Sequence, residues 1–149
     1  LKRDLSDLGV SITPCSDLKK LVEHSQLIIT TTSAKEPIID MEWVQPGTHI
    51  TAVGSDTPEK CELDPIILDR ASVVVADSIS QNKERGEIHQ GLKLGTVKEE
   101  DILELGDIFA GNTEGRTDRD QITVVDLTGV AVQDLVIAEA VVKAKNHID

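Results

Sequence analysis

Short β-rich runs alternate with helix-patterned segments along most of this chain. The runs are "VSIT" (10–13), "QLIITTT" (26–32), "THITAV" (48–53), "SVVVAD" (72–77) and "QITVVD" (121–126). Strand and helix alternating at this spacing predict βαβ units. Parallel neighbours need a crossover connection, and right-handed crossovers place helices on both faces. The expected fold is α/β, a doubly wound, mainly parallel sheet with helices on both faces. One Trp, one Phe and no Tyr leave the core to Val, Ile, Leu and Ala. That suits strands buried under helices on either side. A length of 149 residues suits one domain with a sizeable core.

The helical segments carry their own signals. "SDLKKLVEHS" offers Ser16 or Asp17 as N-cap, with Leu18, Leu21 and Val22 at helical spacing. "DPIILDRA" has Asp64 as cap and Pro65 at the first helical position. Residues 80–93 and 99–110 read as two more helical stretches broken by "LKLG". "GVAVQDLVIAEAVVKAKN" is the longest, with few charges before Lys143, and much of it is expected to be buried. Residues 33–47 read as a loop with a short helical turn ending at Pro46-Gly47. "LKRDLSDLG" reads as a helix end closed by Gly9, so the chain is expected to be a fragment.

In sheets of this kind ligands bind beyond the carboxyl ends of the strands. The stretch "THITAVGSDTPEKCELDP" delivers Asp56 and Lys60 to such an end. A nucleotide-binding sheet normally shows GxGxxG after its first strand. The ten glycines never give that spacing. Either the fold is not of that type or its first βαβ unit is cut away, and the abrupt start favours the second.

Other classes are poorly supported. With 15 basic and 27 acidic residues, net −12, the surface repels phosphate backbones, so no nucleic-acid partner is expected. Cys15 and Cys61 have no metal-ligand spacing, so no metal is expected, and two reduced thiols suit a cytoplasmic protein. No apolar run approaches the ~20 residues of a membrane helix, and no membrane partner is expected. Among the four histidines, His49 lies inside a strand run and reads as a satisfied core residue, with His89 in "GEIHQG" a lesser candidate to approach the site and no role read for His147.

"QPGTHITAVGSDTPEKCELD", "VVVADS" and "ELGDIFAGNTEGRTDRDQITVVDLTGVAVQD" together resemble the ornithine cyclodeaminase/μ-crystallin family, from about residue 10 onward. "SISQNKERGEIHQ" and "DLTGVAVQD" are most similar to its ectoine-degradation branch. Members of the family are about twice this length, with a substrate and dimerisation domain beside a Rossmann domain. The resemblance therefore implies a partial Rossmann-like fold. Residues 1–149 would be the later part of an NAD(P)-binding domain plus the C-terminal helix. The glycine-rich loop, the ribose-binding acid and the substrate anchors of the N-terminal half would lie outside it. A homodimer is implied for the full-length protein.

The resemblance also implies roles. Asp56 matches the catalytic aspartate of the AVG-x-D motif, which exchanges protons with the substrate amine while the nicotinamide takes the α-hydride. Elementary chemistry agrees, since an amine must be neutral before its α-carbon gives up hydride. An Asp after a strand is otherwise a turn former. Val53, Gly54 and Ser55 match the backbone stretch against the nicotinamide, and Gly54, without a Cβ, lets a flat ring approach. Lys60 matches a lysine near the cofactor; the alternative is a solvated lysine. Thr30 matches a cofactor-touching threonine, with Thr31 and Thr32 left open. Leu127 and Thr128 stand where ornithine cyclodeaminases carry Ser-Val beside nicotinamide and substrate, a departure that puts ornithine in doubt. Gly129 opens the last helix, whose N–H groups are candidates to face a carboxylate. Arg116 reads as a loop-fixing residue.

Two functions follow. The first is an NAD- or NADP-dependent cyclodeaminase or dehydrogenase acting at the α-carbon of a small amino or imino acid. The second is a μ-crystallin-like protein that binds NADP(H) and a small ligand without turnover. Aspartate at position 56 favours the enzyme. The isolated chain is expected to be inactive and to bind dinucleotide weakly.

Overall fold

The computed structural model describes residues 9–145. Its elements in chain order are α1 (Leu18–Glu23), β1 (Leu27–Thr30), β2 (His49–Ala52), α2 (Ile66–Arg70), β3 (Val73–Ala76), α3 (Ile79–Asn82), α4 (Glu87–Leu94), β4 (Ile102–Glu104), α5 (Leu105–Ala110), β5 (Thr123–Asp126) and α6 (Ala131–Lys145). A 3₁₀ turn, Met41–Trp43, precedes β2, and another, Glu99–Asp101, precedes β4. The described strands form one parallel sheet in the order β1-β2-β5-β3-β4.

The register aligns the carboxyl ends. Thr30 pairs with Ala52, Ala52 with Asp126, Asp126 with Ala76, and Ala76 with Glu104. Every strand therefore stops in one row, and the loops that follow share one edge. β5 inserts between β2 and β3, so the last strand in sequence is the centre of the sheet.

The core is aliphatic, as the composition requires. Ile50, Val124, Ile67, Leu63 and Ile88 are fully buried, joined by Val22 from α1. Burying each such side chain stabilises by about 1.5–3 kcal/mol. Trp43 packs only partly against this cluster, and Phe109 is exposed.

Of the two caps offered for α1, Asp17 serves, accepting from the Lys20 N–H at 3.1 Å. At α2 the N-cap is Pro65 and not Asp64, because the helix begins at Ile66, and the Asp64 side chain accepts from the Ile66 N–H at 3.0 Å just before it.

Three expectations are corrected. Residues 10–13 form no strand, because no ladder partner lies beside them among the described residues. The fifth strand is Ile102–Glu104, inside the stretch expected to be helical. Its backbone pairs with β3, and that ladder overrides a local pattern three residues long. α6 forms as a helix, but none of its described residues is buried, and Leu135 is 69% exposed. Its apolar side chains are spread around the helix among Gln133, Asp134, Glu139 and Lys143, and nothing among the described residues covers them. The helix end expected at residues 1–8 and His147 lie outside the described residues.

Candidate active site

Beyond the shared row, the tips of β1 and β2 form the walls of an open cleft of about 610 Å³. It is lined by Thr31, Thr32 and Ser33 on one side and by Val53, Gly54, Asp56 and Lys60 on the other. The ladder reaches one step past β2, where the Val53 N–H donates to Thr30 O at 3.0 Å. After that the two strands no longer bond to each other. Their next amides, of Thr32 and Gly54, both donate to the Glu62 carboxyl group, at 2.5 and 3.0 Å. A Cβ at position 54 would overlap the Thr32 backbone and Glu62 Cδ, which is why only glycine fits there.

A tight loop follows Gly54. The Asp56 N–H donates to Gly54 O at 3.1 Å, and the Lys60 N–H to Thr57 O at 3.2 Å. The Ser55 hydroxyl donates to Lys60 O at 2.7 Å and ties the loop's two arms together. This fold-back brings Lys60 Nζ to Asp56 Oδ1 at 2.5 Å. The hydrogen bond from Lys60 holds the Asp56 carboxyl below its usual value. Asp56 is therefore an ionised, solvent-reached carboxylate with a built-in counter-charge.

Behind the loop lie carboxyl groups that the sequence reading did not single out. Glu87, at the start of α4, accepts from the N–H groups of Glu62 (2.8 Å) and Leu63 (3.2 Å). Burial raises its pKa. Asp126, at the end of β5, accepts from the Ile88 N–H at 2.8 Å, and burial holds it well above the usual carboxylate value. Asp77 accepts from the Thr128 hydroxyl at 3.2 Å and the Gly129 N–H at 2.9 Å. Each is a charged residue type in a loop or at an element boundary, a pattern indistinguishable from a surface position until its partners are known.

The expected residues divide as follows. Asp56, Lys60, Val53 and Gly54 meet in the cleft. Ser55 is buried, with its hydroxyl turned into the loop. Thr30 is buried with Oγ1 unpartnered among the described residues, and Thr31 and Thr32 are the threonines that line the cleft. The Leu127 N–H donates to Ala52 O at 2.8 Å, so Leu127 sits one strand over from Val53. The Thr128 side chain is turned toward Asp77. The Gly129 N–H faces a carboxylate of the chain's own, Asp77.

His49 and Arg116 lie at the opposite end of the sheet. Arg116 donates to Gly47 O (3.0 Å), Thr48 O (3.2 Å) and Thr123 Oγ1 (3.1 Å), fixing its loop to the starts of β2 and β5. His49 bonds the Thr123 and Thr51 hydroxyls, and burial and then Arg116 lower its pKa. His89 borders a separate groove with Pro58 and Lys93 and does not line the Asp56 cleft. Among the described residues no group of His, Cys, Asp or Glu is arranged to hold a metal ion. No described helix is long and apolar enough to cross a membrane.

Known proteins share this chain's sequence and fold. The model of the ornithine cyclodeaminase/mu-crystallin family matches residues 1–147. An uncharacterized cyclodeaminase of Sinorhizobium fredii is 41% identical over 129 residues, 86% of this chain and 39% of that protein. The iminosuccinate reductase of Paracoccus denitrificans, solved with NAD⁺, superposes with a TM-score of 0.90 at 35% identity, covering 97% of this chain and 44% of that one. The Δ1-pyrroline-2-carboxylate reductase of Thermococcus litoralis, solved with NADH and L-proline, superposes with a TM-score of 0.87 at 30% identity, covering 96% and 45%. The chain thus spans less than half the length of these relatives. Matched across nearly all of its residues, it belongs to the ornithine cyclodeaminase/μ-crystallin family.

Proposed function

We propose that these residues serve an NAD(P)-dependent enzyme working at the α-carbon of a small amino or imino acid. They would supply the nicotinamide end of its site. The observation that carries this reading is the Asp56–Lys60 pair at the mouth of the cleft, on the edge where such sheets bind ligands.

The cleft residues fit a nicotinamide. Val53 offers an exposed apolar side chain and Thr31–Ser33 close the other wall, while the missing Cβ of Gly54 makes room for the Thr32 backbone and Glu62 rather than for a ring. The sequence holds no GxGxxG, so residues that cradle the cofactor's phosphates are not among these. When bound, a nicotinamide supplies hydride transfer at the substrate α-carbon.

The chain's own residues handle the proton. A substrate ammonium must lose a proton before its α-carbon can release hydride. Asp56, held ionised by Lys60, takes that proton and faces the cation that develops at nitrogen. In the reverse direction the same carboxyl returns the proton to the amine nitrogen once the iminium carbon has been reduced. Val53 keeps water from one side of the reacting atoms.

Leu127 supports a substrate other than ornithine. It lies beside Val53 and offers no hydroxyl where the family resemblance puts one in ornithine cyclodeaminases. Leu127 does not line the cleft itself, and net oxidation or reduction of a small amino or imino acid is the reading that fits the missing hydroxyl at that position. The test is a panel of alanine, ornithine, diaminobutyrate and cyclic imines with the full-length protein. Absorbance of reduced nicotinamide and ammonia release are followed together. Amino- or imino-acid-dependent change in absorbance is expected. Cofactor binding with no turnover on any member contradicts an enzyme. Ammonia release from ornithine without net absorbance change contradicts the redox outcome.

A further inference from the structure

Glu62 is fully buried, yet all of its polar groups are engaged at the cleft or directly behind it. Its two carboxyl oxygens accept from the Thr32 and Gly54 amides, one on each strand tip. Its carbonyl accepts from the Ile38 and Ile39 N–H groups at 2.8 and 3.0 Å. Its own N–H donates to Glu87 Oε1 at 2.8 Å. A side chain anchored through its backbone on two sides has little freedom to follow the groups it holds. The groups it holds must conform to it.

The consequence is geometric. Parallel strands that stay in register go on pairing N–H with C=O. Here the β1–β2 ladder ends after Val53, and the next amide of each tip turns to one shared carboxyl group. The tips are thus held together at Thr32 and Gly54, where their backbones pack closely, and the cleft lies beyond that contact. Asp56 begins two residues beyond one clamped amide, and Lys60 ends two residues before Glu62 itself. Both members of the reactive pair hang from the same clamp.

We propose that Glu62 is a positioning residue for the Asp56 centre, setting the spacing of the cleft walls through the amides of Thr32 and Gly54. The inference rests on the proposed function for what the cleft does, and on the hydrogen bonds alone for how it is held. Glutamine cannot replace it. Its single carbonyl serves one amide and turns an NH₂ toward the other, a donor against a donor. Reacting groups displaced by even about 1 Å lose on the order of 10²-fold in rate.

The test uses the full-length protein. In the wild type, hydrogen exchange at the Thr32 and Gly54 amides is expected to be as slow as at ladder amides of β2. Fast, loop-like exchange there overturns the proposal without any variant. In Glu62→Gln those two amides are expected to exchange at least ~10-fold faster while the core strands stay protected. Turnover is expected to fall at least ~10-fold with substrate KM changed by less than ~3-fold, the pattern of lost alignment rather than lost binding. Unchanged exchange at both amides, or unchanged turnover in a variant whose amides have opened, overturns it. Asp56→Asn in the same assay separates the two readings. Wild-type turnover there contradicts the proposed function, while the exchange data still judge the clamp.

Discussion

Lys60 Nζ reaches Asp56 Oδ1 across 2.5 Å, with the lysine side chain 22% exposed and the aspartate 56% exposed. Surface ion pairs of this kind add little to stability. Its effect is on charge state, since the hydrogen bond from Lys60 lowers the Asp56 pKa. In Lys60→Met the acid limb of the kcat/KM profile of the full-length enzyme should move to higher pH, because the carboxylate then protonates more easily. A pH–rate series measures this. An acid limb that stays in place would show that another group sets it.

Asp126 Oδ2 stands where a Cβ of residue 86 would lie, and Gly86 adopts φ +94, a conformation that favours glycine. Asp126 Oδ1 has no partner among the described residues, and burial raises the group's pKa well above its usual value. A carboxyl raised on folding stabilises the native state fully below its unfolded pKa, about 4. That stability is lost as pH rises toward the folded value. Asp126→Asn removes the titration while keeping an acceptor for the Ile88 N–H. The variant's melting temperature should therefore gain on wild type as pH rises from about 5 to about 8. A gap independent of pH across that range would contradict the assignment.

The two thiols should behave oppositely. Cys15 is exposed. Cys61 is buried, donates to Leu63 O and Glu87, and is pushed up to about 12, first by burial and then by the Glu87 charge. Only a thiolate alkylates readily. In the folded protein near neutral pH, iodoacetamide should label the Cys15 peptide and leave the Cys61 peptide intact until unfolding. Mass spectrometry of the digested protein reads both. Equal labelling would mean that the Glu62–Glu87 region opens freely.

Local patterns carried much of this fold. The runs around β1, β2, β3 and β5 were legible because parallel strands under helices are aliphatic, and the α1 cap was legible as Ser16 or Asp17 but not as one of the two, since both residue types suit it. β4 was not, since three residues following Glu99, Glu100 and Asp101 have no period to read. The apolar surface of α6 was legible, but not what covers it. In the site, Asp56 and Lys60 were readable as a close pair on one loop within a family motif. Glu62 and Asp126 were not readable as buried groups. Glu62 holds the Gly54 amide eight residues back, but its other partner, Thr32, is 30 residues away and Asp126's is 38, so only the assembled sheet completes either set. Burial of a carboxyl is a long-range property, and residue type alone argues against it.

On the proposed function, Asp56 exchanges the substrate proton during hydride transfer. Asp56→Asn keeps the side chain's shape and a hydrogen-bond acceptor for Lys60 but removes the base. Turnover of the full-length protein is measured on whichever member of the amino- and imino-acid panel the wild type uses, with cofactor affinity checked alongside. Turnover is expected to fall at least ~10²-fold with cofactor binding retained. Turnover equal to wild type would contradict it.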